Sequence, residues 1–298
     1  MNAVAVSTDF AGRVMHNEPM SRHTSWHVGG PAETYFEPRD AEDLAAFLRA
    51  LPTDVSVHWI GLGSNVLVRD GGLRGVVISM HGALDGLERL NESQVWCEAG
   101  VACARLAKQC VKWGLGPAEF FAGIPGTLGG ALAMNAGAFG GETWRHVLEV
   151  ETIDRQGVRR KRPAAEFRVG YRSVIAPGEE GYLAARLVFE HRPEAHQDEI
   201  RDLLARRKQS QPIGAWSGGS TFTNPPGDHA ARLIDSAGLK GYSIGGASVS
   251  NKHANFFINE GEATARDLEE LIKHVQRTVE QVHGVHLEPE VRIMGEPA

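Results

Sequence analysis

The chain has 298 residues, of which 42% are apolar, and a formal net charge of −6, so it can bury more than one hydrophobic core. This charge gives no general attraction to nucleic acid or to anionic lipid, and we expect neither as a partner. No apolar stretch approaches the ~20 residues of a membrane span and no signal peptide is evident, which predicts a cytoplasmic protein.

The cysteines and histidines do not suggest a metal site. Cys97, Cys103 and Cys110 are an odd number without a Cys-x-x-Cys pair, a pattern that favours reduced thiols packed in a core over a disulfide or a metal site. The 13 histidines have no ligand spacing on a predicted helix. We therefore expect no bound metal.

The first predicted domain is a strand, helix and strand unit. Residues 1–20 carry no periodicity and are predicted to be an N-terminal tail. A strand at 33–37, a helix that begins after Asp40 and a strand at 55–60 follow. We assign them to a domain of residues 21–80.

Two further domains are predicted, at 81–212 and 213–298. The earlier one is predicted to contain, in order, a strand at 95–98, a helix at 102–113, a hairpin at 148–160, a strand at 183–189 and a helix at 197–208. The later one is predicted to contain a strand, a helix ending at Gly238, strands near Ile244 and Phe256, a long helix capped by Thr264 and Asp267, and a last strand at 287–294.

Two glycine-rich segments are candidates for binding a diphosphate. The first segment follows the strand at 55–60 and consists of Gly61, Leu62, Gly63, Ser64 and Asn65. Successive N–H groups in a tight glycine turn form an anion-binding concavity, although a plain structural turn also accounts for this pattern. It is neither a Walker loop nor a dinucleotide fingerprint, because a strand follows where the latter needs a helix.

The second glycine segment spans residues 123–138 and is more specific. A short helix is predicted at 127–134, with its N-terminus facing negative charge; the alternative is a glycine-packed helix crossing. The candidate cofactor contacts are Gly123, Ile124, Pro125, Gly126, Gly129, Gly130, Ala131, Asn135 and Gly137. Two such segments favour a dinucleotide cofactor.

Polar residues follow in three later segments. The run 217–226, which contains Ser220, is predicted to be a polar loop arranged for a ligand. Arg172, after Tyr171, offers a planar fork that suits a carboxylate or a developing enolate, although an exposed salt bridge is the alternative. In the strand at 287–294, alternation puts Glu288 and Glu290 on one face.

Taken in order, the segments 61–68, 123–138, 171–173 and 217–226 resemble those of the UDP-N-acetylenolpyruvoylglucosamine reductases, flavoenzymes that complete the muramic acid precursor of bacterial peptidoglycan. The resemblance runs from about residue 21 to 295. It implies an α+β protein with a two-part FAD-binding fold of the vanillyl-alcohol-oxidase type, followed by a C-terminal α/β substrate-binding domain.

The resemblance also implies the chemistry of the site. FAD would be held by the two glycine segments, NADPH would reduce it, and the enolpyruvyl ether of UDP-N-acetylglucosamine would then be reduced. Arg172 and Glu290 would stabilise the enolate-like charge and Ser220 would donate the final proton. Further candidates for substrate binding are Tyr171, Arg206, Arg207, Gln211, Asn224 and Asn255.

This chain departs from many relatives at Thr223, where they have Lys; a contact to the substrate is therefore weaker here or is supplied elsewhere. Two alternative functions stay open at this point. One is a flavin oxidase of the same fold, and the other is a sugar-nucleotide-binding protein without turnover.

Overall fold

The chain folds into α-helices and a larger number of mostly short strands. The computed structural model describes residues 10–194 and 196–298. Within them the α-helices are α1 (Ala41–Ala50), α2 (Cys103–Lys112), α3 (Leu128–Met134), α4 (Gln197–Ser210), α5 (Ala230–Ser236) and α6 (Ala265–His283). The strands are β1 (Arg13–Pro19), β2 (Pro31–Glu37), β3 (Val57–Ile60), β4 (Val66–Val68), β5 (Leu73–Ser79), β6 (Leu87–Arg89), β7 (Gln94–Glu98), β8 (Leu115–Gly116), β9 (Gly137–Ala138), β10 (Gly141–Glu142), β11 (Val147–Asp154), β12 (Arg159–Pro163), β13 (Arg168–Gly170), β14 (Ser173–Ile175), β15 (Glu180–Val188), β16 (Glu190–His191), β17 (Trp216–Ser220), β18 (Ser243–Ile244), β19 (Ala247–Val249), β20 (Phe256–Asn259) and β21 (Arg292–Met294).

Three sheets and four strand pairs organise these elements. The sheet orders are β1-β2-β5-β3, β12-β11-β15-β7-β6 and β17-β20-β19-β18. Neighbours in the last two sheets are antiparallel, whereas β3 and β5 run parallel. The pairs are β9-β10, β13-β14 and β8-β16, which are antiparallel, and β4-β21, which is parallel.

The chain divides by its contacts into two units. Of the described residues, unit 1 contains 10–16 together with Thr34–Leu62 and Gly75–Arg206. Unit 2 contains Asn17–Glu33, Gly63–Arg74 and Arg207–Ala298. The division falls inside the first glycine segment. The predicted domain limits at 80 and 212 stay predictions.

Unit 1 has two hydrophobic cores. One core packs α2 and α3 against the five-stranded sheet, and it contains all three cysteines as free, buried thiols. The expectation that the cysteines pack in a core is thereby confirmed, and burial raises the pKa of Cys103 to about 12. The other core lies around α1, where the rings of Phe36 and Phe47 stack at 3.8 Å.

Unit 2 is built around α6, whose buried face carries Leu268, Leu271, Ile272, Val275 and Val279. The predicted cap is confirmed: Thr264 and Asp267 form a reciprocal capping box, which satisfies N–H groups that a helix start leaves unpaired. Gly284 ends the helix in the left-handed region, with φ of 68°.

The sequence misplaced three elements. Strand β1 lies inside the predicted tail, of which residues 1–9 are outside the described part of the chain. Strand β17 occupies the start of the predicted polar loop. The last strand is limited to β21, so it begins at Arg292 rather than at 287, and the shared face of Glu288 and Glu290 stays a prediction. Ahead of β21, Pro289 forms an isolated antiparallel bridge with Phe222, in which the N–H of Thr223 donates to the carbonyl of Glu288 and the N–H of Glu290 donates to the carbonyl of Thr221.

No helix in the described residues is both long enough and apolar enough to cross a membrane. The same residues contain no group of three or more His, Cys, Asp or Glu side chains placed to hold a metal ion.

Candidate active site

The two glycine segments meet in unit 1. A Cβ built on Gly61 would lie 2.5 Å from Oγ1 of Thr127, the residue that precedes α3. No side chain fits in that gap, so glycine at position 61 is what lets the first segment approach the second. The predicted helix at 127–134 is confirmed as α3.

Two of the N–H groups at the N-terminus of α3 already donate to backbone carbonyls of the protein. The N–H groups of Leu128 and Gly129 donate to the carbonyls of Val101 and Ala99, at 2.9 and 2.8 Å. Gly130 differs because it is exposed, and a Cβ built there would have Thr127 Oγ1, 3.9 Å away, as its neighbour. This surface without a side chain admits the close approach of a flat or anionic ligand.

Asn135 ends α3 in the left-handed region, with φ of 50°. Its buried amide donates to the carbonyl of Gly170 at 3.0 Å and accepts from the N–H of Trp144 at 3.1 Å. The side chain is therefore used to hold the end of α3 against the β13-β14 hairpin. Any cofactor contact of Asn135 falls to its backbone rather than to this amide.

Arg172 lies in the two-residue turn of that hairpin, which pairs Gly170 with Ser173. Its φ of 52° is unusual for a residue with a side chain and costs on the order of 1 kcal/mol. Its Nη1 donates to the carbonyl of Asn135 at 3.3 Å and its Nη2 to that of Gly137 at 2.9 Å. The guanidinium is thus fixed against the end of the second glycine segment.

Tyr171, the other residue of the turn, is half exposed. The Cζ of Arg172 lies 5.2 Å from the centre of the Tyr171 ring, within the range of a cation–π contact. The Tyr171 ring therefore helps to hold the Arg172 guanidinium in place.

Ser220 ends strand β17 in unit 2, after a bulge at Gly218 and Gly219. The strand pairs Ser217 with Ile258 and Ser220 with Phe256, so it holds one residue more than its partner. Gly219 has φ of 80°, and a Cβ on Gly218 would lie 2.6 Å from the Trp26 ring. A bulge re-aims the side chains that follow it. The Ser220 hydroxyl is half-buried and has no hydrogen bond to another described residue.

Asn255 holds the chain directly after Ser220. Its carbonyl accepts from the N–H of Thr221 at 2.8 Å. Its amide bonds both the N–H and the carbonyl of Phe222, at 3.0 and 2.8 Å, and the residue is buried. This geometry favours a supporting role for Asn255 over direct contact with a sugar nucleotide.

Glu290 is bonded to the same segment. Its N–H donates to the carbonyl of Thr221 at 2.8 Å, and its own carbonyl accepts from the amide of Asn65 at 3.0 Å. Glu288, in contrast, has a side chain that is 74% exposed and faces His286. Backbone bonds hold both glutamates beside the Ser220 segment, since the carbonyl of Glu288 accepts from the N–H of Thr223 at 2.9 Å. The two differ in exposure, because Glu290 is half-buried and Glu288 is exposed.

The remaining candidates are less closely connected. Nε of Arg207 donates to Oε1 of Gln211 at 2.5 Å, and burial lowers the pKa of the Arg207 guanidinium. Asn224 accepts from the N–H of Ala230 at 3.1 Å and so caps α5. Arg206 is exposed and lines a cavity of about 580 Å³ in unit 1.

Two groups of site residues result, one in each unit. Arg172, Asn135 and Gly137 are joined in unit 1, and Ser220, Glu290, Asn65 and Asn255 are joined in unit 2. The second group depends on Thr221, which sequence reasoning did not single out. Its contribution is made by backbone atoms, and these leave no signal in residue type.

Two family models match the chain. The family model of an FAD binding domain matches residues 32–161, and that of the UDP-N-acetylenolpyruvoylglucosamine reductase C-terminal domain matches residues 211–294. A UDP-N-acetylenolpyruvoylglucosamine reductase from Alkalilimnicola ehrlichii is 58% identical over 286 residues, 96% of each chain. One from Methylococcus capsulatus is 51% identical over 296 residues, 99% of this chain and 97% of the relative.

A solved structure is also similar over nearly the whole chain. The crystal structure of UDP-N-acetylenolpyruvylglucosamine reductase from Thermus caldophilus superposes with a TM-score of 0.81 and 32% identity, covering 95% of this chain and 99% of that one. The predicted fold, an FAD-binding domain followed by a substrate-binding domain, and the FAD cofactor are confirmed. The chain belongs to the UDP-N-acetylenolpyruvoylglucosamine reductase family.

Proposed function

We propose that this chain is an NADPH-dependent flavoenzyme that reduces the enolpyruvyl ether of UDP-N-acetylglucosamine to UDP-N-acetylmuramate, with Ser220, Arg172 and Glu290 as its catalytic residues. Beyond family membership, one observation supports this assignment. The N–H of Glu290 bonds the carbonyl of Thr221 at 2.8 Å, which joins the segment of the proton donor to that of the carboxylate.

The glycine segments provide a fitting site for FAD. The close approach of Gly61 to Thr127 and the bare surface at Gly130 suit the diphosphate of a dinucleotide. The backbone N–H groups of Gly63, Ser64 and Asn65 would contribute from the first segment. When bound, FAD supplies the hydride that NADPH delivers to it.

Arg172 and Glu290 act on the charge that develops in the substrate. Hydride addition to the methylene carbon places negative charge on the substrate's carboxylate as an enolate-like species. A guanidinium keeps its proton and presents a planar fork to such a group. Because its carbonyl partners already orient it, Arg172 needs little rearrangement when the charge appears. Glu290 assists directly or as a proton donor.

Ser220 then protonates the carbon that bears the carboxylate, which completes the lactyl ether. A serine hydroxyl is a weak acid, so it must be aligned with the substrate and its alkoxide must be stabilised by neighbours. The bulge before Ser220 and the bonds of Thr221 to Asn255 and Glu290 fix its backbone. Its hydroxyl keeps the freedom to turn toward the substrate.

The sugar nucleotide would be held by Tyr171, Arg206, Arg207 and Gln211. Arg207 is suited to a phosphate because its partial burial makes an anionic partner favourable. The bonds of Asn224 and Asn255 to the backbone favour an indirect contribution from both. At Thr223, Oγ1 donates to the carbonyl of Glu288 at 3.3 Å, so this position lacks the cation that many relatives provide. We also propose that the enzyme works in the cytoplasm, where free thiols stay reduced.

A spectrum followed by two anaerobic additions tests this function. The purified protein is expected to be yellow, to lose its flavin absorbance when NADPH is added, and to regain it with the enolpyruvyl sugar nucleotide. Recovery with oxygen but not with that substrate would support an oxidase instead. A colourless protein that binds the nucleotide would support a binding function without turnover.

A further inference from the structure

Asn65 stands between the first glycine segment and the candidate catalytic carboxylate. We propose that Asn65 is a positioning residue for Glu290, so that the loop assigned to the cofactor also sets the direction of the carboxylate. This inference rests on the role proposed above for Glu290. It gives the Asn65 side chain a function separate from cofactor binding.

The parallel pair β4-β21 brings the two residues together. Its register places Val66 opposite Arg292 and Leu67 opposite Ile293. Directly before the pair, the N–H of Arg292 donates to the carbonyl of Asn65 at 3.0 Å. The first glycine segment therefore continues directly into β4, and β4 pairs with β21, the strand that follows Glu290.

The peptide groups on both sides of the Glu290 Cα are held. Its N–H donates to the carbonyl of Thr221 at 2.8 Å, and its carbonyl accepts from Nδ2 of Asn65 at 3.0 Å. With both peptide planes fixed, φ and ψ are fixed, and the Cα–Cβ bond of Glu290 leaves in one direction. The bond to Thr221 is made by backbone atoms. The bond from Asn65 is made by a side chain, so a substitution can remove it.

The residue type at position 65 suits this task. Asparagine has an NH₂ group that donates to a carbonyl, whereas aspartate of the same shape has acceptors alone when ionised. Asn65→Asp would thus replace an attraction to the Glu290 carbonyl by repulsion with little change in volume. Asn65→Ala removes the bond without repulsion.

Half-reaction kinetics of the holoenzyme test the proposal. In Asn65→Ala and Asn65→Asp we expect reoxidation of the reduced enzyme by the enolpyruvyl substrate to slow by about 10- to 100-fold, as for a misplaced catalytic group. Reduction by NADPH and the Kd for FAD should not change. Asn91→Ala is the control, since the Asn91 side chain also bonds the backbone, in its case by accepting from the N–H groups of Ser93 and Gln94; it should leave all three quantities unchanged.

A double mutant separates positioning from other effects. If Asn65 acts through Glu290, Asn65→Ala combined with Glu290→Gln should be no slower than Glu290→Gln alone, because coupled residues are not additive. Multiplied effects, or weaker FAD binding with equal slowing of both half-reactions, would overturn the inference. Normal reoxidation in Glu290→Gln would instead overturn the proposed role of Glu290. Far-UV circular dichroism of each variant establishes that it folds, independently of how tightly it binds FAD.

Discussion

The two units hold their candidate catalytic groups in different ways. In unit 1 the charged group itself is bonded, since the Arg172 guanidinium donates to the carbonyls of Asn135 and Gly137. In unit 2 the backbone is bonded around Ser220 and Glu290 through Thr221, while the Ser220 hydroxyl has no hydrogen bond to another described residue. One unit fixes a side chain, and the other fixes a main chain.

The proposed catalytic roles would account for this difference. A cation that stabilises developing charge is most effective when it is oriented before the reaction, because no reorganisation is then needed. A hydroxyl that donates a proton must instead turn toward the carbon that receives it. The comparison therefore predicts that unit 1 is sensitive to the shape of its cation. Unit 2 should be sensitive to the presence of its donor and to the register of its backbone.

Removal of the proton donor is expected to have the largest effect. Ser220→Ala should slow reoxidation by the substrate at least ~10²-fold, the low end for a general acid. Flavin reduction by NADPH needs no proton from Ser220 and should keep its normal rate in stopped-flow measurements. Ser243→Ala, on exposed strand β18 of the same sheet, is the control. Equal slowing of both half-reactions would mean that Ser220 is structural.

Arg172→Lys tests whether the fork matters beyond the charge. Lysine cannot bond two carbonyls and a carboxylate in one plane, so the substrate half-reaction should slow by ~10²- to 10³-fold, about the value of one oxyanion donor. The control is Arg168→Lys on the neighbouring strand β13, where the arginine is exposed. Turnover close to wild type in Arg172→Lys would return Arg172 to the class of surface cations.

The two glutamates test the register of unit 2. Glu290→Gln keeps the shape and the backbone bonds but removes the charge, and should slow reoxidation by about 10²-fold. Glu288→Gln changes a side chain that is 74% exposed and should be almost silent. Steady-state turnover of both variants, with flavin content as a measure of folding, shows which glutamate supplies the catalytic carboxylate. Damage from Glu288→Gln alone would mean that the carboxylate had been assigned to the wrong residue.

Sequence patterns predicted the elements whose apolar residues have a regular period. The stripe and capping box of α6 are examples, because both are local properties of the chain. A strand was predicted ahead of α5, but residues 217–220 were assigned to a loop because Ser and Gly are common in loops. Their pairing with β20 makes them part of strand β17. The last strand was predicted to begin too early, at 287, because alternation alone does not reveal where the pairing between strands ends.

The site was predictable to a similar degree. The motifs gave Ser220, Arg172 and Glu290 as positions in the chain. They did not give the bond from Asn65 to Glu290 or the use of Asn255 as a backbone support. Such contacts join residues far apart in sequence. In addition, the residue type alone does not distinguish an asparagine that binds a ligand from one that bonds the backbone. Geometry is needed to distinguish them.

The smallest expected effects come from two buried threonines, one in each unit. Thr143 in unit 1 and Thr221 in unit 2 are both 0% exposed. The Thr143 hydroxyl donates to the carbonyl of Ala136 at 2.7 Å, whereas that of Thr221 has no partner among the described residues. Valine has nearly the same shape as threonine without the hydroxyl.

Thr143→Val should therefore lower the free energy of unfolding by ~0.5–1.5 kcal/mol, because the bond from the hydroxyl is lost while the Ala136 carbonyl keeps its bond from the Thr143 N–H. Thr221→Val removes a buried polar group that has no bond to lose, and should leave this free energy unchanged or raise it slightly. Urea denaturation followed by circular dichroism, with equal m-values, compares the two. A loss at Thr221 as large as that at Thr143 would mean that an ordered water bonds the Thr221 hydroxyl in solution. The link from Ser220 through Thr221 to Glu290 would then be held by a polar network as well as by backbone hydrogen bonds.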